Sequence, residues 1–144
     1  MPAGEAFSSR QAEDIDRAVR QAREISGLDF AVYVGALEGD PRPAAEALHA
    51  GLGPRAADGV LVAVDPGGRR LEIVTGSRAR RHLDDAACAL SALTMTSQLT
   101  LGDLSGGIVN GLRSLAEHGR HPRSLHVEQP WTDRAARALH TDEA

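Results

Sequence analysis

Four aspartates in this chain of 144 residues could act as ligands of a metal ion. Each lies where a strand or a helix is predicted to begin: Asp58, Asp84, Asp85 and Asp103. Hard cations such as calcium take six or more oxygen ligands, which carboxylates and backbone carbonyl groups provide. The alternative is structural, because Asp84 and Asp103 are good N-cap residues and Asp58 suits a turn. The sequence lacks the spacing of an EF-hand loop, so the calcium hypothesis requires these side chains to converge in the fold.

A basic segment just before Asp84 could bind an anion. Its members are Ser77, Arg78, Arg80 and Arg81. Guanidinium groups bind phosphate through paired hydrogen bonds, and the N-terminus of a helix adds a field that favours negative charge. The sequence therefore predicts a candidate site for phosphate or a phospholipid headgroup, with ion pairs to nearby aspartates as the alternative. No catalytic residue is predicted, because no nucleophile motif surrounds Ser77.

The composition narrows the class of function. A formal net charge of −4 argues against general nucleic-acid binding, which requires a basic surface to displace counterions. The single cysteine, Cys88, excludes an internal disulfide and is typical of a reducing compartment. No apolar run is long enough to span a bilayer. We therefore expect a cytoplasmic domain.

The hydrophobic pattern predicts the elements that must position these side chains. A helix over residues 9–26 begins with capping-box spacing between Ser8 and Gln11 and ends at Gly27. Its apolar residues recur at the spacing of one helical face, which predicts that this helix packs against a core.

Three apolar, β-rich runs predict a small mixed sheet. Phe30–Val34 and Val60–Val64 flank a short helix near Ala44–Ala50, the arrangement of a right-handed parallel crossover. Leu71–Thr75 follows a turn at residues 66–68 and is expected to pair antiparallel with the second strand. The second strand is apolar on both faces, so we place it inside the sheet and covered on both sides.

Two further helices complete the pattern. The first covers residues 85–99, and its packing positions are predicted to be Ala86, Ala87, Leu90 and Leu93. The second covers residues 104–118 and contains three glycines, Gly106, Gly107 and Gly111. Because glycine is a poor helix former, these positions indicate close packing on the sheet or on a neighbouring helix. A surface that accepts a helix of another protein is the alternative.

The predicted fold class is α/β: a three-layer α/β/α sandwich with a small mixed sheet, one β-hairpin and helices on both faces. The folded domain is predicted to cover residues 9–119. Residues 1–8 and residues 120–144 are predicted to be disordered on their composition.

Four short motifs resemble the TPM domain family in their order and spacing, over roughly residues 10–118. They are Asp58-Gly59-Val60-Leu61, Leu71-Glu72-Ile73-Val74-Thr75-Gly76, Leu83-Asp84-Asp85 and Gly102-Asp103-Leu104. The chain looks like an uncharacterised actinobacterial branch of that family. It departs from the family pattern after Gly76, where Ser77–Arg81 replaces an expected second glycine and acid.

The resemblance implies calcium binding and weak phosphatase activity for some members, and a role in membrane-protein assembly or repair for others. Because a fold does not determine an activity, we favour a non-catalytic interaction or adaptor module with a protein partner. The first alternative is a metal-dependent, calcium-binding phosphatase. The second is binding of an anion or a phospholipid headgroup, with peripheral contact to an anionic membrane.

Overall fold

The computed structural model describes residues 7–120, and its elements follow the predicted order. They are α1 (Ser9–Ser26), β1 (Asp29–Val34), α2 (Pro41–Ala50), β2 (Gly59–Asp65), β3 (Arg70–Thr75), α3 (Asp85–Thr100) and α4 (Leu104–His118), with short 3-10 helices at Gly53–Asp58 and Ala79–Arg81. Phe7, in the segment predicted to be disordered, is buried in the core. Residues 1–6 and 121–144, including nearly all of the predicted C-terminal tail, lie outside the described residues.

Helix α1 has the predicted caps at both ends. The Gln11 amide donates to Ser8 Oγ at 3.1 Å, and the Ser8 amide donates to Gln11 Oε1 at 2.9 Å. The two bonds satisfy amides that have no partner inside the helix. Gly27 ends the helix in the left-handed region at φ 79°, where glycine has no steric penalty. The capping-box prediction is confirmed.

The sheet has the strand order β1-β2-β3. Strands β1 and β2 are parallel, with Asp29 beside Gly59, and the register continues to Val34 beside Val64. Strand β3 runs antiparallel to β2, with Val60 beside Thr75. Every residue of β2 is buried, which confirms its predicted central position.

Helices cover both faces of the sheet and form two cores. The larger core joins β2 side chains such as Val62 to α1, α3 and α4, and contains Ile15, Met95 and Leu112. The smaller core lies under α2 and includes Leu37, Ala45, Leu61, Ala63 and Val74. Alternate residues of β2 enter opposite cores because successive strand side chains point to opposite faces. The predicted three-layer α/β/α class is confirmed.

The packing face of α3 differs from the prediction. Leu90 and Leu93 are 56% and 69% exposed, whereas Ser91 and Met95 are fully buried. The Ser91 hydroxyl reaches the Ser114 hydroxyl of α4 at 2.7 Å, which satisfies a polar group at the helix contact. The expectation that Leu90 and Leu93 pack inward is therefore wrong. The sequence could not identify the buried face because α3 is largely apolar all round.

The glycines of α4 explain how closely α3 approaches. A Cβ at Gly111 would overlap with the Met95 side chain, and a Cβ at Gly107 would lie 3.0 Å from Leu99 Cδ2. Both glycines are buried. The prediction of close packing on a neighbouring helix is confirmed for Gly107 and Gly111, and that neighbour is α3, whereas a Cβ at Gly106 would meet the side chain of Asp103.

Candidate functional site

The predicted metal ligand Asp58 and the predicted anion ligand Arg78 bind each other. Arg78 Nε and the Nη2 nitrogen each donate to one Asp58 carboxylate oxygen at 3.0 Å. This bidentate geometry is the strong form of an arginine–carboxylate pair. The hydrogen bonds from Arg78 lower the pKa of Asp58. Each charge therefore has a partner within the domain.

Backbone contacts hold the basic segment against the 3-10 helix that precedes β2. The Gly76 amide donates to the Gly59 carbonyl and the Arg78 amide to the Ala57 carbonyl, each at 2.9 Å. A side chain at Gly76 would overlap with the Ala56 carbonyl oxygen, so only glycine fits there. These contacts join the segment after β3 to the segment before β2 and have a structural role.

The other members of the basic segment are not gathered around a common point. The Arg80 guanidinium donates to the Thr75 carbonyl at 3.1 Å. Ser77 and Arg81 are exposed, and Arg81 forms no side-chain hydrogen bond or ion pair within residues 7–120. Among the three arginines predicted as anion ligands, Arg81 is therefore the one whose guanidinium has no hydrogen-bond or ion-pair partner within residues 7–120.

Among the remaining predicted metal ligands, Asp84 and Asp85 are separated from Asp103 by the length of a helix. Asp84 Oδ1 accepts from the Ala87 amide at the start of α3, and Asp103 Oδ1 accepts from the Gly106 amide at the start of α4. Asp84 and Asp103 flank the 16 residues of α3, which is about 24 Å long at 1.5 Å per residue. Asp85 lies in the first turn of α3. In the described part of the chain, no three His, Cys, Asp or Glu side chains form a group suited to a metal ion.

Cys88 lies in α3 and is half-buried. Burial raises the pKa of its thiol to about 11, with a smaller effect in the same direction from the negative charges of Asp85 and Asp84. A thiol must lose its proton to act as a nucleophile. At neutral pH this cysteine is therefore suited to packing rather than to covalent catalysis.

Asp65 organises the opposite edge of the sheet, where β1 and β2 end. It is 7% exposed, and its carboxylate accepts from the Leu37 amide at 3.1 Å and the Gly68 amide at 2.9 Å. These backbone hydrogen bonds, with Gly68 contributing most, lower the pKa of Asp65. Arg70 Nε lies 3.9 Å from the carboxylate. The role of Asp65 was not predicted from the sequence, although an acid directly before a Pro-Gly-Gly turn is a typical signal for such a bond.

A cavity of about 560 Å³ lies at this edge, between the hairpin and the turn from α3 to α4. We call it the tip cavity. Its polar lining includes Arg69, Thr96 and Thr100. Its apolar lining includes Leu71 and Leu99. The cavity was not predicted, because the hairpin and the helix that enclose it are distant in sequence.

The outer side of α3 carries a second candidate site, which we call the leucine face: Leu90, Leu93 and Leu101. Their exposed fractions are 56%, 69% and 83%. At 100° per residue Leu90 and Leu93 lie about 60° apart on α3, and Leu101 follows directly after the helix ends at Thr100. Between residues 86 and 102 the sequence has no charged residue. On the same side, the Thr94 and Ser97 hydroxyls donate to the carbonyls of Leu90 and Leu93 at 3.2 and 3.3 Å, so the face carries few free polar groups.

The fold and these sites define a small α/β/α domain in which the polar contacts of Asp58, Arg78 and Asp65 stabilise the connections between strands and helices. Its sequence matches a family over residues 1–116, and the chain belongs to that family, described as domain of unknown function (DUF5130). None of the helices between residues 7 and 120 is both long and apolar enough to cross a membrane.

Relatives from actinobacteria share part of the sequence. Two uncharacterized proteins of Mycobacterium tuberculosis, MT2543 and Rv2468c, are each 28% identical to the chain over 102 residues. The match covers 71% of this chain and 60% of each relative. The chain therefore spans less than two thirds of the length of these relatives.

Solved structures share the fold. The BA42 protein of Bizionia argentinensis has a TM-score of 0.70 at 17% identity, covering 78% of this chain and 81% of that one. The N-terminal domain of cg2496 from Corynebacterium glutamicum has a TM-score of 0.66 at 19% identity, covering 81% of this chain and 76% of that one. At these identities the likeness concerns the fold alone.

Proposed function

We propose that this protein is a non-catalytic interaction domain that binds another protein through the leucine face of α3. The observation that carries the proposal is the exposure of Leu90 and Leu93 on one side of α3 and of Leu101 directly after it, in a segment with no charged residue from 86 to 102. Burying such side chains in a complex removes apolar surface from water, worth about 1.5–3 kcal/mol for each leucine. A folded domain gains nothing from leaving them in solvent.

The charge around the leucine face favours a protein over a membrane surface. Helices that lie on anionic membranes carry lysine or arginine along their polar side. Helix α3 contains no basic residue and begins at Asp84 and Asp85, which would repel anionic lipid. The complementary surface is the apolar side of a helix on a partner protein, packed side by side with α3.

The other candidate functions have less support. A metal-dependent phosphatase would require a set of ligands that residues 7–120 do not bring together. Anion binding at the basic segment would compete with the pairing of Arg78 to Asp58. The proposal includes membership of a TPM-like branch, supported by the motif order described above. It also includes action in a reducing cytoplasm, which is consistent with the free thiol of Cys88.

Site-specific photo-crosslinking tests the proposed interface. A photoreactive residue at Leu93 should yield a discrete cross-linked protein in cells that make the full chain. The same probe at Glu13, on the exposed side of α1, should not. The cross-linked protein is then purified, and its affinity is measured for the native chain and for Leu93→Ser. We expect a loss of about tenfold or more, because one buried leucine side chain is removed.

The outcomes separate the possible partners. A cross-link between two copies of this chain would identify self-association as the interaction, which sedimentation of Leu93→Ser would confirm by a shift to monomer. Equal cross-linking from Leu93 and Glu13, or equal affinity of the native and Leu93→Ser proteins, would refute the proposed interface.

A further inference from the structure

We propose that the tip cavity binds a small amphiphilic anion, with a carboxylate or phosphate head at Arg69 and an apolar chain against Leu71 and Leu99. This inference is independent of the interaction proposed for the leucine face, because it rests on a different surface and a different class of ligand.

The position of the cavity is typical of a ligand site. It lies beside the carboxyl end of the central strand β2, next to Val64 and Asp65. Ligands of open α/β sheets bind in the crevice at this edge. Its volume of about 560 Å³ also falls within the range of roughly 300–1,000 Å³ for small-molecule sites.

Of the charged side chains at the cavity, only that of Arg69 has no partner among residues 7–120 and is available to bind a ligand. Asp65 and Arg70 both line the cavity, but they are committed elsewhere. Asp65 accepts two backbone amides, and Arg70 donates to the Gly39 carbonyl at 2.5 Å while lying close to Asp65. Arg69 forms no side-chain hydrogen bond or ion pair with any residue in the range 7–120. The free charge at the cavity is therefore positive and selects an anion.

The conformation of Arg69 supports a role for its side chain. Its φ is 56°, and it is the one non-glycine residue with positive φ among the described residues. The position closes the hairpin loop after Gly67 and Gly68, where glycine or asparagine is usual. An arginine pays a steric penalty there. Folding alone gives no reason to keep it, whereas contact with a ligand does.

Two threonines of α3 supply further hydrogen-bonding groups. Thr96 and Thr100 are one helical turn apart and both line the cavity. Their hydroxyls bond to no group within residues 7–120, unlike the Thr94 hydroxyl, which donates to a helix carbonyl. A threonine inside a helix commonly makes that internal bond. Together with Arg69, the two hydroxyls offer donors to an anionic head beside an apolar wall.

A titration of the full chain with four probes, followed by amide NMR, tests the site. Octanoate and octyl phosphate carry both an anionic head and an apolar chain, octanol carries only the chain, and acetate only the head. We expect either or both amphiphilic anions to shift the amides of Leu71, Leu99 and Gly102. Octanol should bind at least tenfold more weakly, and acetate should cause no localised shifts. The tighter of the two anions identifies the preferred head.

Variants separate a charge-specific site from general apolar adsorption. Arg69→Gln should weaken binding about tenfold or more, the effect expected for loss of a charge-assisted hydrogen bond. Arg10→Gln, at an exposed position in the first turn of α1, is the matched control and should bind as the native chain does. The proposal is overturned if neither anion binds, if octanol binds as tightly as octanoate, or if Arg69→Gln has native affinity. Shifts confined to Leu90 and Leu93 would also overturn it.

Discussion

Replacing Asp65 by asparagine should destabilise the domain strongly, although the substitution only exchanges one carboxylate oxygen for an NH₂ group. The carboxylate accepts the Leu37 and Gly68 amides and is nearly buried. Asparagine retains one acceptor oxygen but presents an NH₂ group to the second amide, which then has no partner. A hydrogen bond to a charged acceptor contributes about 1.5–3 kcal/mol. We therefore expect a loss of about 2–3 kcal/mol of unfolding free energy, or on the order of 8 °C in Tm for a domain of this size.

The pH dependence gives this prediction a second, sharper test. The pKa of Asp65 in the folded protein lies below its ordinary value of 3.8. Its stabilising effect is therefore complete above about pH 4 and is lost as the pH falls through the folded pKa. In urea unfolding followed by circular dichroism, the native and Asp65→Asn proteins should differ at about pH 7, and the difference should shrink at acid pH as the pH falls through the folded pKa.

Asp16→Asn is the matched control for these measurements, because Asp16 is exposed on α1. It should change stability by less than about 0.5 kcal/mol. The reasoning about Asp65 is wrong if Asp65→Asn behaves like this control, or if its effect is the same at both pH values.

Three other substitutions or reactions test separate parts of the structure. Gly111→Ala should lower the unfolding free energy by about 1–3 kcal/mol through overlap with Met95. In thermal unfolding, Met95→Ala should lower the stability of the Gly111→Ala protein by less than it lowers that of the native protein. If the effects of the two substitutions simply add, the contact between these residues is contradicted. Arg69→Gly should raise stability by about 1 kcal/mol by relieving its positive φ, and a lower Tm would count against that strain. Cys88, with a pKa of about 11, should be alkylated at least about tenfold more slowly at neutral pH than an ordinary thiol. The rate of alkylation should keep rising up to about pH 11, whereas a plateau near pH 9 would show that burial does not raise the pKa of this thiol.

The features that were predictable from sequence are those set by neighbouring residues. Ser8, Gln11 and Gly27 define the ends of α1 locally, and the uninterrupted apolar run of β2 requires cover on both faces. The pairing of Asp58 with Arg78 joins residues 20 positions apart, and nothing in their spacing distinguishes a partner in the domain from an external ligand. The tip cavity depends in the same way on how α3 is placed over the hairpin.

The leucine face follows from the way α3 and α4 pack. Helix α4 presents the bare backbone of Gly107 and Gly111 to α3, and Leu99 and Met95 lie against these two glycines. Ser91 and Met95 are fully buried at this contact, and at 100° per residue Leu90 and Leu93 then lie on the opposite side of α3. The leucines are thereby turned outward by the demands of the internal contact. Polar residues would serve the isolated domain equally well at those positions and would lower its risk of aggregation. The proposed partner would give a physical reason for leucine there, and the cross-linking experiment at Leu93 tests whether such a partner exists.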